Sequence, residues 1–105
     1  MLLLLSEEEH PTAIVCKDDI NALKVIEKAT SVGIEVPNEL SVTGFDDLEL
    51  DFCNMRLTTA RQDPDLLGKA VAEQIIMAIN NSLPLGKVVV PAPLIIGNTT
   101  TAPNI

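Results

Sequence analysis

The chain has 105 residues, room for one ordinary domain with a single core, and its 47% hydrophobic content and mean hydropathy of +0.29 exclude a disordered segment. Seven basic residues against fifteen acidic ones give a net charge of −8, so the chain by itself repels nucleic acid. No apolar run approaches the ~20 residues of a membrane span, and Leu2–Leu5 runs straight into Glu7, Glu8 and Glu9 without a basic start or a small-residue cleavage site, which argues against a signal peptide here.

Met1 to His10 reads as the tail of a helix followed by a charged loop. Pro11 opens the run Thr12-Ala13-Ile14-Val15-Cys16, which is of strand length and apolar without alternation, the pattern of a strand buried on both faces. Asp18-Asp19 ends it and begins a helix, because an aspartate there accepts orphan backbone N–H groups and suits the positive end of the helix dipole. Ala22, Leu23, Val25, Ile26 and Ala29 form the helix's apolar stripe, Lys17, Lys24 and Lys28 its wet side, and Gly33 its stop.

After a loop holding Pro37, Ser41–Phe45 is a second strand ending in Asp46-Asp47. A short helix is expected over 47–52, and a third strand over Leu57–Ala60. Asp63-Pro64 is a helix start, since proline at the first helical position loses no hydrogen bond. Leu67, Ala70, Val71, Ile75, Ala78 and Ile79 line one face of that helix, Gly68 predicts close packing against another element, and Asn80-Asn81 ends it. Lys87–Val90 is a fourth strand candidate broken by Pro91 and Pro93, Leu94–Ile96 a last short one, and Asn98–Ile105 a polar crossing or surface tail. This order predicts an α/β fold, a partial doubly wound parallel sheet flanked by helices.

Cys16 and Cys53 are far apart and form no CxxC pair, so neither a disulfide scaffold nor a thiolate metal site is expected, and a reducing compartment is. With no Trp or Tyr, and only Phe45 and Phe52, any ligand pocket here lacks aromatic stacking walls. Met55 and Met77 read as core or gap fillers.

Both acidic pairs stand at strand ends, and ligands of open parallel sheets bind beyond the carboxyl ends of the strands. A carboxylate there can accept two hydrogen bonds from adjacent hydroxyls of a polyol, and charge-assisted bonds are about twice as strong as neutral ones. Asp18 and Asp19 carry two readings, helix cap or ligand contact. Gly44 allows close backbone approach ahead of Asp46, which inclines Asp46 toward ligand binding, while Asp47 reads as a cap or turn residue. Catalysis finds no support: His10, the sole histidine, lies in a charged loop, and no Ser/His/Asp set, HExxH, GxGxxG or GxxxxGK[ST] is present. No catalytic residue, metal site or cofactor is expected.

Pro11-Thr12-Ala13-Ile14, then Cys16 to Asp19, Gly44-Phe45-Asp46-Asp47, Leu57 to Gln62 and Asn98 to Pro103, in this order, resemble the C-terminal half of a LacI/GalR-type transcriptional regulator. Val36-Pro37 before the second strand and Gly68 early in the long helix belong to the same ordered set. The resemblance implies the type I periplasmic binding protein-like fold. It implies an effector-sensing and dimerising part of a cytoplasmic repressor, in which two subdomains close on a sugar or related metabolite. The regulator would be a homodimer meeting operator DNA only through a helix-turn-helix headpiece absent from this sequence, with no membrane partner.

It further implies ligand contacts at Asp18, Asp46 and Gln62. Asp18 departs from the family's asparagine, exchanging an amide for a carboxylate; Lys24 stands where glycine is common and Gly97 where arginine often stands. On this reading 1–62 and 84–105 form the C-terminal subdomain, and the helix over 63–83 belongs to the other subdomain, its apolar face without its own sheet. The alternative function is an extracytoplasmic solute (sugar) binding protein of an uptake system, which needs an export signal upstream.

Overall fold

The structure, a computed structural model, describes residues 10–81 and 86–103; the expected helix tail before His10 lies outside them. The run after Pro11 forms strand β1 (Ala13–Val15), paired in parallel with β2 (Ser41–Thr43) in the register Ala13–Ser41, Ile14–Val42, Val15–Thr43. Parallel neighbours need a crossover, and helix α1 (Asp19–Ser31) supplies it. Its stripe is the expected one: Ala22, Ile26 and Ala29 are fully buried, Val25 nearly so, and Leu23 packs beside them. They meet Leu40 and Val42 of the sheet and Phe52 and Leu57 beyond it, which is the core. The chain turns away from α1 at Gly33, whose φ of +80° suits glycine.

Strand β3 (Thr59–Ala60) lies on the other side of β2. Bridges from Thr43 to Thr58 and from Asp46 to Arg61 run parallel, with the Gly44 amide donating to the Thr58 carbonyl at 3.0 Å and the Asp46 amide to that of Ala60 at 2.9 Å. Helix α2 (Pro64–Asn81) follows, and β4 (Leu94–Ile95) returns antiparallel to β3. The strand order is therefore β1-β2-β3-β4, and the carboxyl ends of β1, β2 and β3 share one edge.

Several expectations are corrected. β1 is not buried on both faces: Ile14 joins the core, but Val15 is 83% exposed because α1 covers one face and no other described residue covers the second. Residues 47–52 are not helical. Asp46 and Asp47 turn the chain with φ of 122° and 60°, and Phe52 is buried at the head of a tight Phe52–Met55 turn. Lys87–Val90 pairs with no strand among the described residues; Gly86, Val88 and Val90 instead flank α2 around an apolar depression of about 290 Å³.

Gly68 has open space about it rather than a packed neighbour, and Met77 is 51% exposed, while Met55 does pack on the core. No residue of α2 is buried. Of the two readings of the tail, crossing or surface segment, the surface one does not hold at its start. Thr99 is fully buried, its hydroxyl donating to the Val42 carbonyl at 2.7 Å and accepting from the Thr58 amide at 3.0 Å. At Gly97 a Cβ would overlap the Arg56 carbonyl, so the arginine common to the family would not fit this backbone.

The two aspartates at the start of α1 divide its labour. Asp18 is the cap: its Oδ1 accepts from the Asn21 amide and from Asn21 Nδ2, both at 2.8 Å. Those bonds, the backbone one foremost, hold its carboxyl below the usual 3.8, and Lys17 and Lys24 add to them. Asp19 is fully buried. Its Oδ2 accepts from the Leu48 amide at 2.7 Å, its Oδ1 from the Thr59 hydroxyl at 2.7 Å, and its own amide donates to the Phe45 carbonyl at 3.0 Å. Gly44 makes the room, since a Cβ there would overlap Asp19 Oδ1.

Asp19→Ala orphans two donors and is expected to cost roughly 1–3 kcal/mol, read as a lower urea midpoint; an unchanged midpoint would remove Asp19 as a strut. For Asp18, a depressed folded value means that the charged cap's stabilisation is present above the ordinary carboxylate range and lost as pH falls through the folded value. Asp18→Asn keeps the accepting oxygen without the titration, so its Tm should trail the native chain at pH 7 and converge with it in acid.

Candidate functional site

A cleft of about 370 Å³ opens at the shared carboxyl edge of the strands, lined by Asp46, Asp47, Leu48, Gln62, Pro64 and Leu67. Two elements build it. On one side the chain leaves β2 through Gly44 and Phe45 and turns sharply over Asp46 and Asp47, both with positive φ, a conformation aspartate reaches more readily than most residues. On the other side it leaves β3 through Arg61 and Gln62 into α2, whose start is fixed by Asp63: Asp63 Oδ1 accepts from the Asp65 amide at 3.0 Å and from the Leu66 amide at 3.1 Å.

Two side-chain pairs join the sides. Gln62 Nε2 donates to Asp46 Oδ1 at 2.7 Å, and Arg61 Nε to Asp47 Oδ2 at 2.8 Å. The backbone beneath is held as well, with the Asp46 amide on the Ala60 carbonyl and the Arg61 amide on the Pro93 carbonyl, each at 2.9 Å. The Asp46–Gln62 pair therefore presents acceptor and donor groups from a braced frame. Among the described residues its bonded atoms leave Asp46 Oδ2, Gln62 Oε1 and one amide hydrogen for a third molecule, a set that matches vicinal hydroxyls, which both donate and accept. Leu48, Pro64 and Leu67 supply an apolar wall without an aromatic ring.

Of the three residues expected to contact a ligand, the structure brings Asp46 and Gln62 together and places Asp18 at the neighbouring strand tip, outside the lining of this cleft. The hydrogen bonds to Asp18 fall on Oδ1 and leave Oδ2 free of them among the described residues. Asp47 is the turn residue expected of it, yet it also lines the cleft, with Arg61 as its counter-ion. Arg61 escaped the sequence reading. The one trace of it there is a basic residue two positions before the Asp63-Pro64 helix start, in register with an acidic pair only once the strands are placed side by side.

Asp19 carries neither of its two sequence readings; it is a buried strut. Burial pushes the Cys16 thiol up, with Asp18 adding to it, which keeps the group protonated and unreactive, and Cys53 is exposed and free. His10 is half-buried and bonds the Pro11 carbonyl at 2.8 Å, away from the cleft.

Comparison with known proteins fits this geometry. Residues 2–100 match the periplasmic binding protein-like domain family. The chain is 36% identical over 81 residues to the transcriptional repressor PurR of Aliivibrio fischeri, covering 76% of this chain and 24% of that protein. It is 33% identical over 102 residues to the lactose operon repressor of Escherichia coli, covering 96% of this chain and 28% of that one. A crystal structure of the lac repressor dimer bound to operator and the anti-inducer ONPF superimposes with a TM-score of 0.86 at 31% identity, over 96% of this chain and 36% of that one. The chain thus spans about a quarter of the length of these repressors. With the family match running along nearly its whole length, and with a parallel β1-β2-β3 edge carrying the Gly44–Asp47 and Arg61–Gln62 segments, the chain belongs to the periplasmic binding protein-like domain family.

Proposed function

We propose that this chain is the C-terminal portion of the effector-binding domain of a cytoplasmic LacI-type repressor, and that the regulator senses a sugar or related polyhydroxy metabolite. The observation that carries the reading is the Asp46–Gln62 pair, bonded at 2.7 Å on the rim of a cleft at the carboxyl edge of a parallel sheet. Asp46 accepts from ligand hydroxyls and Gln62 both donates and accepts. Asp18 contributes its free Oδ2 from the neighbouring strand when the effector reaches that far.

Effector binding draws the two lobes of the domain together, and a homodimer passes the change to operator DNA through headpieces outside this sequence. The acidic balance of the chain is consistent with its leaving DNA contact to another part. The function is binding rather than catalysis, and the repressor names of the relatives favour it over solute uptake.

The division into lobes belongs to the same proposal. Residues 1–62 and 84–105 belong to one lobe, and the helix over 63–83 to the other. In support, no residue of α2 is buried, and Val71, Ile75, Ile76 and Ile79 are exposed. An apolar stripe of this kind requires a partner surface.

The test is Asp46→Ala in the full-length regulator. Loss of a charged acceptor from a ligand hydroxyl is worth about 1.5–3 kcal/mol, roughly a 10- to 150-fold rise in Kd. Calorimetry against a panel of neutral sugars is expected to show that weakening with operator affinity intact. Native-strength effector binding by the variant would overturn the reading.

A further inference from the structure

The cleft rim carries two adjacent carboxylates, and the reading above uses one of them. The other, Asp47, is 31% exposed at its side chain and lines the same cleft. Left alone, Asp47 would give the rim two negative charges side by side, which suits a cation better than a neutral polyol. Like charges in adjacent positions also repel, and here both residues sit at positive φ, where only a surrounding structure that fixes them keeps an L-residue.

Arg61 answers both difficulties. Its backbone is fixed on two sides, by the bridge to Asp46 and by the bond to the Pro93 carbonyl. Its Nε therefore reaches Asp47 Oδ2 from a fixed base. The next residue, Gln62, reaches back to Asp46. The two bonds lie side by side, Arg61 on Asp47 and Gln62 on Asp46, and together they clamp the left-handed turn onto the segment that leads into α2.

From this arrangement we infer that Arg61 is a positioning and charge-setting residue of the effector cleft: it neutralises Asp47 and holds the turn so that Asp46 alone, aimed at Gln62, is presented to a neutral polyhydroxy ligand. An exposed ion pair adds little to global stability, so its effect falls on local geometry and on the charge of the rim. The inference rests on the reading of Asp46 and Gln62 as the ligand-holding pair, but its first readout does not require any ligand.

The experiment compares Arg61→Gln and Arg61→Lys with the native sequence in the full-length regulator, selectively labelled at Asp and Gln for NMR. In Arg61→Gln, the Gln62 side-chain amide is expected to lose its slowed hydrogen exchange, and the Asp47 carbon shifts to lose their left-handed signature. In Arg61→Lys both should be largely retained, because the charge returns without the guanidinium. One molar salt should move the native protein toward Arg61→Gln, since the pair is open to screening.

Unchanged Gln62 exchange and Asp47 shifts in Arg61→Gln would overturn the positioning role. Loss of both signals in Arg61→Lys as well as Arg61→Gln would overturn the charge as its cause. A second readout uses glucose and glucosamine as probes: the ratio of their affinities should move toward the amine in Arg61→Gln, and an unmoved or opposite ratio where either sugar binds counts against charge setting. These outcomes are separable from failure of the functional reading, which Asp46→Ala tests alone.

Discussion

The buried carboxylate of Asp19 is the interaction on which the functional edge depends. Three segments that are remote in sequence end at the same place: the start of α1, the turn after β2, and β3. One side chain bonds the last two while its own amide bonds the Phe45 carbonyl. A fully buried carboxylate is costly unless its oxygens are satisfied, and here the Leu48 amide and the Thr59 hydroxyl satisfy them at 2.7 Å each. Position in the first turn of α1 adds the positive end of the helix dipole. Gly44 belongs to the same device, because any side chain there would displace the carboxylate.

With that knot in place, the two neighbouring aspartate pairs serve unlike ends. In each, one member is committed to backbone geometry and the other has an oxygen to spare. Asp19 is consumed by the knot, and Asp18 caps the helix with one oxygen. Asp47 is tied up by Arg61 in a left-handed turn, and Asp46 is left to face the cleft with Gln62. A strand tip that must both stop the sheet and present an acceptor gains from a doubled aspartate, since a single residue could not do both.

This division also explains what was legible in the sequence and what was not. The helix α1 stripe, its Asp18 cap and the Asp63-Pro64 start are governed by contacts within a few residues, and they lie where local rules put them. The parallel pairing of β1 with β2 followed from the intervening helix. Asp46 was legible from its place at a strand end, and Gln62 only through the family resemblance. Their contact, and the role of Arg61, depends on β3 lying beside β2, a pairing across sixteen or fewer residues with no helix to announce it. Val15 misled because an apolar run shows only that burial is available, not that this chain supplies both covering layers. Thr99 stays open in the sequence, because a polar tail reads as a crossing or a surface segment; in the fold its hydroxyl takes a buried place by bonding Val42 and Thr58.

On the proposed reading, the link from cleft to lobe movement runs through a very short stretch of chain. Gln62, which holds Asp46, directly precedes Asp63, which caps α2. On the proposed reading, a ligand that engages Gln62 acts on the residue adjoining the helix start, with no flexible spacer to absorb the displacement. Helix α2 has little to hold it to the core: none of its residues is buried, and its start is fixed by Asp63 rather than by packing. On that reading it is free to follow the lobe that covers its apolar stripe. The core side, by contrast, is pinned by Asp19 and by the interlaced Thr58 and Thr99 bonds. On the same reading, a rigid edge, a two-residue clamp and a helix covered by the other lobe would place the hinge at Asp46, Asp47, Arg61 and Gln62. Couplings of about 1–3 kcal/mol are typical of allosteric proteins, the scale of one or two charge-assisted hydrogen bonds. The rim holds two such bonds, Arg61 on Asp47 and Gln62 on Asp46.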